Sequence, residues 1–405
     1  MFVGTDFGLF VSVNAGKHWQ AFKSGLPPTT IKEIAIQERE NDLVLATFGR
    51  GFYVLDDYSL LQTFDAQSER INQSPISILP IKDALVYIPS TPLGHKGKSF
   101  QGESFYTAEN PAIGATIYIN VRDDYSSLQS QRTEREKTSI NDFYPSKDSI
   151  RMEQNELESF LWVMIKDAQG NVVRQFKRPI SKGINKLVWN GRYDKTSPIT
   201  FYVPDPNNPY EGDDQGALAM PGKYTIQCLI VKDLKVVTNS ESQTFELQSL
   251  YPITSDPKFN QKLADFRAVV LGVNQYMDHL NNKMSFIKQG MNQLASVTYL
   301  NNISEIERLT HDIQLKLHGD GALASREFEV LPGLVGALEG IVGGLWSTSQ
   351  TPSTTYLNKF DQIQIDFAPV YEQVKQLDEQ VKALEQLLND SKFPYTPGRL
   401  PAWSK

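Results

Sequence analysis

The sequence is poor in cysteine, in net positive charge and in long apolar runs, and each shortage excludes a class of protein. Cys228 is the one cysteine among 405 residues, so no disulfide can form within the chain. The 40 basic residues are outnumbered by 47 acidic ones, for a formal net charge of -7, which argues against a nucleic-acid-binding protein. The longest apolar candidate, LPGLVGALEGIVGGLW, is short and carries Glu339. We therefore predict no membrane-spanning segment.

Motifs of catalysis and metal binding are also missing. The five histidines have no zinc-site spacing with Cys or Glu, and the sequence has no H-E-x-x-H, G-x-S-x-G or nucleotide-binding glycine motif. Asp56 and Asp57 are adjacent at the end of a predicted strand, where they point to opposite faces and do not form the carboxylate pair of a glycosidase. We predict neither catalytic residues nor a confident metal site.

The start of the sequence has the pattern of β-strands. It lacks the basic segment with which a signal peptide begins. Apolar residues alternate in GLFVSV, IKEIAI and DLVLAT, and turn-forming residues separate these runs. The stretch Ser12–Trp19 has the form S-x-N-x-G-x-x-W. In such a turn Asn14 closes an Asx turn, Gly16 supplies a positive φ, and Trp19 packs over the turn.

This stretch resembles the Asp-box of BNR-repeat β-propellers, with Asn14 in the place of the aspartate. Together with ATFGRGFYVLDD, it makes the first 60 or so residues similar to the last blade of bacterial exported propellers of the BNR and Vps10/sortilin-like type. The resemblance implies that Ser12, Asn14, Gly16 and Trp19 are structural residues at the blade periphery. Arg50, between two strands, is a candidate channel-facing residue, with hydrogen bonding between blades as the alternative.

One propeller blade cannot bury both of its faces. We therefore expect residues 1–58 to be covered by further blades or by a partner chain. The resemblance implies an exported protein of the periplasm, cell surface or medium, with the signal peptide absent from this chain. Its first implied function is a non-catalytic binding or scaffold module at the cell surface. The alternatives are a sialidase- or endoglucanase-like glycoside hydrolase with catalytic blades upstream, and a sortilin-like peptide-binding propeller. The ligand would accordingly be a carbohydrate or a peptide.

The middle of the chain predicts a second β domain. Residues 63–100 are polar and rich in Pro and Gly, which is typical of a connecting arm. Residues 101–250 contain short strands and hairpin turns and resemble a FlgD-like, immunoglobulin-type module. Within it, Trp189 and Cys228 are predicted core residues. The charged segment 122–156 is predicted to be a solvated or partly disordered insertion, with a binding loop as the alternative. The acidic segment 204–215 is a candidate Ca²⁺ site, although its spacing differs from that of an EF-hand; its ligands would be Asp205, Glu211, Asp213 and Asp214.

The remaining residues, 251–405, change to a helical period. Asp256 and Pro257 are typical of a helix start. Two heptad seams follow, Phe259–Leu294 and Tyr356–Leu388, with Pro369 expected to kink or break the second. Two shorter helices are predicted between them. We expect the seams to pack together within the chain, with pairing to another chain as the alternative. The expected fold is thus multidomain β plus α, with four parts: residues 1–62 as the last blade or blades of a propeller, the arm, an antiparallel immunoglobulin-like sandwich, and an antiparallel helical bundle with an irregular tail.

Overall fold

A computed structural model describes residues 1–63, 73–90, 108, 111–138, 144–203, 205, 208, 214–290, 297–391, 393–401 and 403. The chain forms two compact units. The first comprises Met1–Tyr87, Thr91–Arg192 and Ala219–Tyr251, and the second comprises Ile88–Ser90, Tyr193–Leu218 and Pro252–Lys405. The predicted fold class, several β-sheets followed by a C-terminal helical region, is confirmed. The predicted domain boundaries stay predictions.

The strands are β1 (Phe2–Thr5), β2 (Gly8–Val11), β3 (Gln20–Phe22), β4 (Ile31–Gln37), β5 (Asp42–Thr47), β6 (Phe52–Leu55), β7 (Ile76–Ile78), β8 (Ala84–Val86), β9 (Ala115–Val121), β10 (Phe160–Lys166), β11 (Val172–Pro179), β12 (Gly183–Trp189), β13 (Gly222–Lys232), β14 (Lys235–Asn239) and β15 (Gln243–Ser249). The helices are α1 (Leu128–Thr138), α2 (Lys147–Asn155), α3 (Pro257–Gly290), α4 (Val297–His318), α5 (Gly321–Ala324), α6 (Leu334–Trp346) and α7 (Thr354–Asp390).

The N-terminal strands form two antiparallel three-stranded sheets, β1-β2-β3 and β4-β5-β6, which we call the sheet pair. Side chains alternate between the two faces of each strand. Leu9 and Val11 of one sheet and Leu43 and Leu45 of the other therefore point toward each other and form one apolar core. Gly4 is required for this packing, because a Cβ at that position would lie 2.7 Å from Cγ2 of Ile31. The two sheets thus stack face to face.

The other strands form a six-stranded sheet, in the order β11-β10-β13-β15-β8 with β14 beside β13, and a three-stranded sheet, β12-β9-β7. Trp189 of β12 is completely buried and meets Tyr224 of β13 edge-on, at 5.0 Å between ring centroids. The pairing is antiparallel except between β15 and β8, which run parallel. The predicted core roles of Trp189 and Cys228 agree with their complete burial.

The predicted arm and the predicted insertion both contain regular secondary structure. The segment 63–100 contributes β7 and β8, one to each of these sheets. The segment 122–156 contains α1 and α2, neither of which has a buried residue. These helices are joined because Arg132 donates to both carboxylate oxygens of Glu153, at 2.8 and 3.1 Å, and to Glu136 at 2.7 Å.

In the second unit, the described residues of both predicted seams are buried or half-buried along α3 and α7. Met291 and Leu294, at the end of the first predicted seam, lie outside the described residues. Asp256 caps α3 by accepting hydrogen bonds from the backbone N–H groups of Lys258 and Phe259. Contacts between Phe259 and Phe360 near the start of both helices, and between Lys283 and Glu385 near their ends, show that α3 and α7 run parallel. The antiparallel partners of α7 are α4 and α6.

Helix α7 is not broken at Pro369, where the sequence predicted a kink or a break. Pro369 lies on the exposed face, as does Ile365, the residue whose carbonyl loses its helical partner. Water can satisfy that carbonyl, so the helix continues. The glycines of α6 allow the predicted close approach, since a Cβ on Gly344 would clash with the Tyr356 hydroxyl. Among the described residues, no helix is long and apolar enough to cross a membrane.

Candidate functional site

The turn after β2 has a closed hydrogen-bond network built from the S-x-N-x-G motif. The buried Ser12 hydroxyl accepts from the Gly16 N–H at 2.8 Å and donates to Oδ1 of Asn14 at 3.1 Å. The same Asn14 oxygen accepts from the His18 N–H at 2.9 Å. Gly16 has φ +87°, a region that glycine adopts without strain. A Cβ on Gly16 would lie 3.9 Å from the half-exposed ring of Trp19, so the indole lies beside this turn.

Replacement of Ser12 by alanine is expected to lower the free energy of unfolding by about 1–2 kcal/mol, because it leaves the Gly16 N–H without its acceptor. Urea unfolding followed by circular dichroism measures the change. Asn14→Asp is the matched control, because a carboxylate accepts the same two hydrogen bonds; it should change stability by less than about 0.5 kcal/mol. Equal losses in the two variants would contradict the role assigned to Ser12.

The outer faces of the sheet pair, those turned away from its core, carry exposed apolar side chains. On β4-β5-β6 the cross-strand pairs Val44–Val54 and Ala46–Phe52 share this face. Phe52 is 77% exposed and Val54 is 55% exposed. On β1-β2-β3, Val3 and Phe10 are paired on the corresponding face, and Val3 is exposed. Exposed apolar patches of this kind on both sides of a stack are typical of interaction surfaces.

One end of the sheet pair carries exposed aromatic and cationic side chains. Phe7 lies in the β1–β2 turn, and Phe48 and Arg50 lie in the β5–β6 turn. The two turns are joined through Thr30, whose hydroxyl donates to the Asp6 carbonyl and whose carbonyl accepts from the Phe48 N–H. Lys32 Nζ lies 5.4 Å from the centroid of the Phe48 ring. Arg50 is exposed between two glycines with positive φ. Whether it faces a channel stays a prediction.

At the opposite end of the sheet pair, carboxylate oxygens accept hydrogen bonds from backbone N–H groups. The Asp57 N–H donates to Oδ1 of Asp42 at 3.0 Å, and the Asp57 carboxylate accepts from the Ser59 N–H at 3.1 Å. The pKa of Asp56 is raised, mainly by partial burial and secondly by the negative charge of Asp42. The positive charge of Lys186 opposes this shift. These contacts make Asp42 and Asp57 turn-stabilising residues.

The candidate Ca²⁺ residues fall in different environments. Asp205 and Asp214 are described, whereas Glu211 and Asp213 lie outside the described residues. Asp214 is 3.3 Å from Nη1 of Arg267 and accepts a hydrogen bond from the Ser197 hydroxyl at 3.0 Å. It therefore neutralises a cation within the protein. Within the described part of the chain, no group of three His, Cys, Asp or Glu side chains could hold a metal ion.

Arg267 is the centre of an ion network that sequence reasoning missed. It lies on α3, is 7% exposed, and donates to both carboxylate oxygens of Glu339 on α6, at 2.7 and 3.0 Å. Its guanidinium also lies 5.4 Å from the Trp346 ring centroid. Burial opposes its charge, but Glu339 and Asp214 outweigh this and raise the pKa of Arg267. The sequence feature that could have indicated this network is Glu339, the one charged residue in an otherwise apolar helix.

Cys228 is inert by its environment. It is completely buried in β13, and burial raises the pKa of its thiol to about 12. The thiolate, which is the nucleophilic form, is therefore absent at neutral pH. This agrees with the predicted role of Cys228 as a small core residue.

We expect a thiol reagent to label native chains slowly and urea-unfolded chains at once. Above pH about 8.5 the thiol of the unfolded chain loses its proton, whereas the thiol of the folded chain keeps its proton up to pH about 12. Between these pH values the free energy of unfolding should therefore fall by about 1.4 kcal/mol per pH unit. Because lysine and tyrosine titrate in the same range, the measured quantity is the difference in slope from a Cys228→Ala variant. Equal slopes in the two proteins would contradict the assignment.

Comparison with known proteins gives little further information. No family model and no curated protein matches the sequence. A matching solved structure is that of PorZ, described as an essential bacterial surface component of the type-IX secretion system of Porphyromonas gingivalis. The TM-score is 0.16 with 12% sequence identity, over 61% of this chain and 28% of the PorZ chain. A TM-score of this size does not establish a common fold.

Proposed function

We propose that this chain is a non-catalytic binding or scaffold module of an exported protein, in which the sheet pair is part of a larger β-propeller. The observation that carries the proposal is the exposed apolar outer face on both sides of the sheet pair, with Phe52 and Val54 on one side and Val3 on the other. In a propeller each blade packs on two neighbours, so both outer faces would be buried. The similarity of residues 1–60 to BNR and Vps10/sortilin-like blades supports the same arrangement.

The turn end with Phe7, Phe48 and Arg50 is the proposed ligand-binding end of this module. Aromatic rings beside cations offer stacking and charge-assisted hydrogen bonds to a carbohydrate or to a peptide carboxylate. Rigid strands hold these turns, which is the usual way in which a scaffold presents binding residues.

The direct test is the intact mass and N-terminal sequence of the protein purified from its native source. A mass well above 45.7 kDa, with strand-forming sequence ahead of Met1, is expected if further blades complete the propeller. A mass equal to that of this chain, with the chain monomeric and stable, would overturn the proposal. The same mass in a tight complex would show that a partner chain replaces the blades and would overturn the propeller assignment.

A variant of the isolated chain tests the same outer face. Phe52→Ser with Val54→Thr is expected to reduce binding of a hydrophobic fluorescent dye and to reduce aggregation on warming, because it removes the two most exposed apolar side chains of the β4-β5-β6 outer face. Leu234→Ser is the matched control, since Leu234 is an equally exposed apolar residue, at 73%, in the turn before β14. Equal effects of the two variants on dye binding and aggregation would contradict the assignment of the outer face as an interaction surface.

A further inference from the structure

The two hairpins of the sheet pair, β1–β2 and β5–β6, repeat the same local structure. The Thr5 hydroxyl donates to the Gly8 carbonyl at 2.9 Å, and the Thr47 hydroxyl donates to the Gly51 carbonyl at 2.7 Å. Both glycines lie where the second strand of the hairpin begins, and both have a positive φ. The repeat from Thr5 to Thr47 spans roughly 40 residues, a length typical of four-stranded β repeats. Strands β1 and β2 therefore correspond to β5 and β6.

Equivalent residues of the two hairpins differ in burial. In the register that starts from the two threonines, Leu9 and Val11 of β2 correspond to Phe52 and Val54 of β6. Leu9 and Val11 are 2% and 8% exposed in the core of the sheet pair, whereas Phe52 and Val54 are 77% and 55% exposed. The outer face of β4-β5-β6 is therefore the counterpart of the face that β1-β2-β3 buries.

The outer face of β1-β2-β3 shows the same relation in reverse. Val3 and Phe10 correspond to Leu45 and Tyr53 of the other sheet. Leu45 is buried in the core of the sheet pair and Tyr53 packs against that core, whereas Val3 is exposed. The two sheets thus stack head to tail, with different faces in contact. Because such a contact is heterologous, the same contact can be repeated at both ends of the stack.

The strand correspondence also identifies two open sheet edges. Strand β4 flanks β5 and β3 flanks β2, but among the described residues no strand pairs with the outer edges of β1 and β6. A complete repeat would therefore have four strands, of which each sheet has three. The Thr47 N–H donates to the Gly51 carbonyl at 3.0 Å. Because backbone groups alternate in direction along a strand, those of Phe52 and Val54 point away from β5 to the open edge.

We propose that each outer face of the sheet pair binds a further β repeat of the same kind, in the same head-to-tail order and within the same polypeptide. The outer face of β4-β5-β6 packs on the equivalents of Leu43 and Leu45. The outer face of β1-β2-β3 packs on the equivalents of Leu9 and Val11. A strand equivalent to β3 pairs with the edge of β6, and one equivalent to β4 pairs with the edge of β1. This inference rests on the proposed function for the presence of further repeats, whereas their order and orientation come from the repeat within the sheet pair.

A second copy of residues 6–47, inserted after Thr47 of the full chain, tests the match between the faces. In the head-to-tail order the insertion creates one complete four-stranded sheet between the two existing three-stranded sheets. We expect the inserted residues to resist protease under native conditions. We also expect a steeper dependence of the free energy of unfolding on urea concentration, because the longer stack buries more surface.

The matched control carries Leu43→Asp and Leu45→Asp in the inserted copy alone, so that unpaired charges replace one of the stacking faces. The inserted residues of this control are expected to be cleaved at least about tenfold faster than those of the unchanged insertion. Equal cleavage rates in the two proteins, whether both fast or both slow, would overturn the head-to-tail assignment.

Hydrogen exchange in the protein purified from its native source tests the occupant. The Phe52 and Val54 amides are expected to exchange at least about tenfold more slowly there than in the isolated chain, at any protein concentration, because an added strand pairs with them. Slowing that appears only at high concentration would assign the face to a second copy and overturn the same polypeptide as its source. Unchanged exchange in a native protein longer than this chain would overturn this inference alone. A native protein no longer than this chain would overturn the proposed function, so the two failures are distinguishable.

Discussion

Replacement of Trp189 by alanine is expected to lower the free energy of unfolding by about 3–5 kcal/mol, the range for truncating a large buried aromatic side chain. Trp189 is completely buried in β12, with Tyr224 and Phe245 at 5.0 and 6.0 Å between ring centroids. Its indole N–H donates to the Arg192 carbonyl at 2.9 Å. Alanine would therefore leave a cavity and remove the indole donor from the Arg192 carbonyl.

Trp162→Ala is the matched control, because Trp162 belongs to the same pair of sheets but is 40% exposed. Its indole N–H donates to the side chain of Gln175, a group that water can replace. We expect this change to cost less than about 1 kcal/mol. Urea unfolding curves of the two variants give the comparison. If Trp189→Ala lowers the free energy of unfolding no more than Trp162→Ala does, the two sheets must move together and fill the space left by the Trp189 side chain.

The burial of Trp189 was predictable from the sequence, and so was the helical unit. Trp189 lies within the strand pattern GINKLVW, where apolar alternation turns it inward. The seams of α3 and α7 follow from heptad spacing, because a period near 3.5 residues keeps one face apolar over many turns. The direction of α7 relative to α3 did not follow, since a seam shows which face is buried and not which way a neighbouring helix runs.

The candidate sites were predictable only in part. The turn residues Ser12, Asn14 and Gly16 interact within five positions, so spacing alone indicates them. Arg267 and Glu339 lie 72 positions apart, and no local pattern relates them. The exposure of the apolar segment Ile199–Val203 was also missed, because exposure of an apolar run depends on what the rest of the fold leaves uncovered. Long-range contacts and uncovered surfaces are set by tertiary packing.

Breaking the Arg267 network should produce the second large effect. Glu339→Gln is expected to lower the free energy of unfolding by about 2–3 kcal/mol, because it removes the nearer of the two carboxylates and leaves the longer contact to Asp214 as the ion pair of the buried Arg267 guanidinium. Removing one partner of a fully buried pair costs about 3–5 kcal/mol. The value here is smaller because the side chains of Glu339 and Asp214 are about a third exposed and solvent screens them.

Arg267→Met should cost less, about 1–2 kcal/mol, although it removes more hydrogen bonds. Methionine keeps apolar contact with Trp346, and the carboxylates left behind reach water. The surface pair Lys262–Asp361, 3.9 Å apart and more than half exposed on both sides, is the control, and Asp361→Asn should cost less than about 0.5 kcal/mol. If Arg267→Met instead proves more costly than Glu339→Gln, the main contribution of Arg267 is anchoring Thr196 and Asp214 to α3.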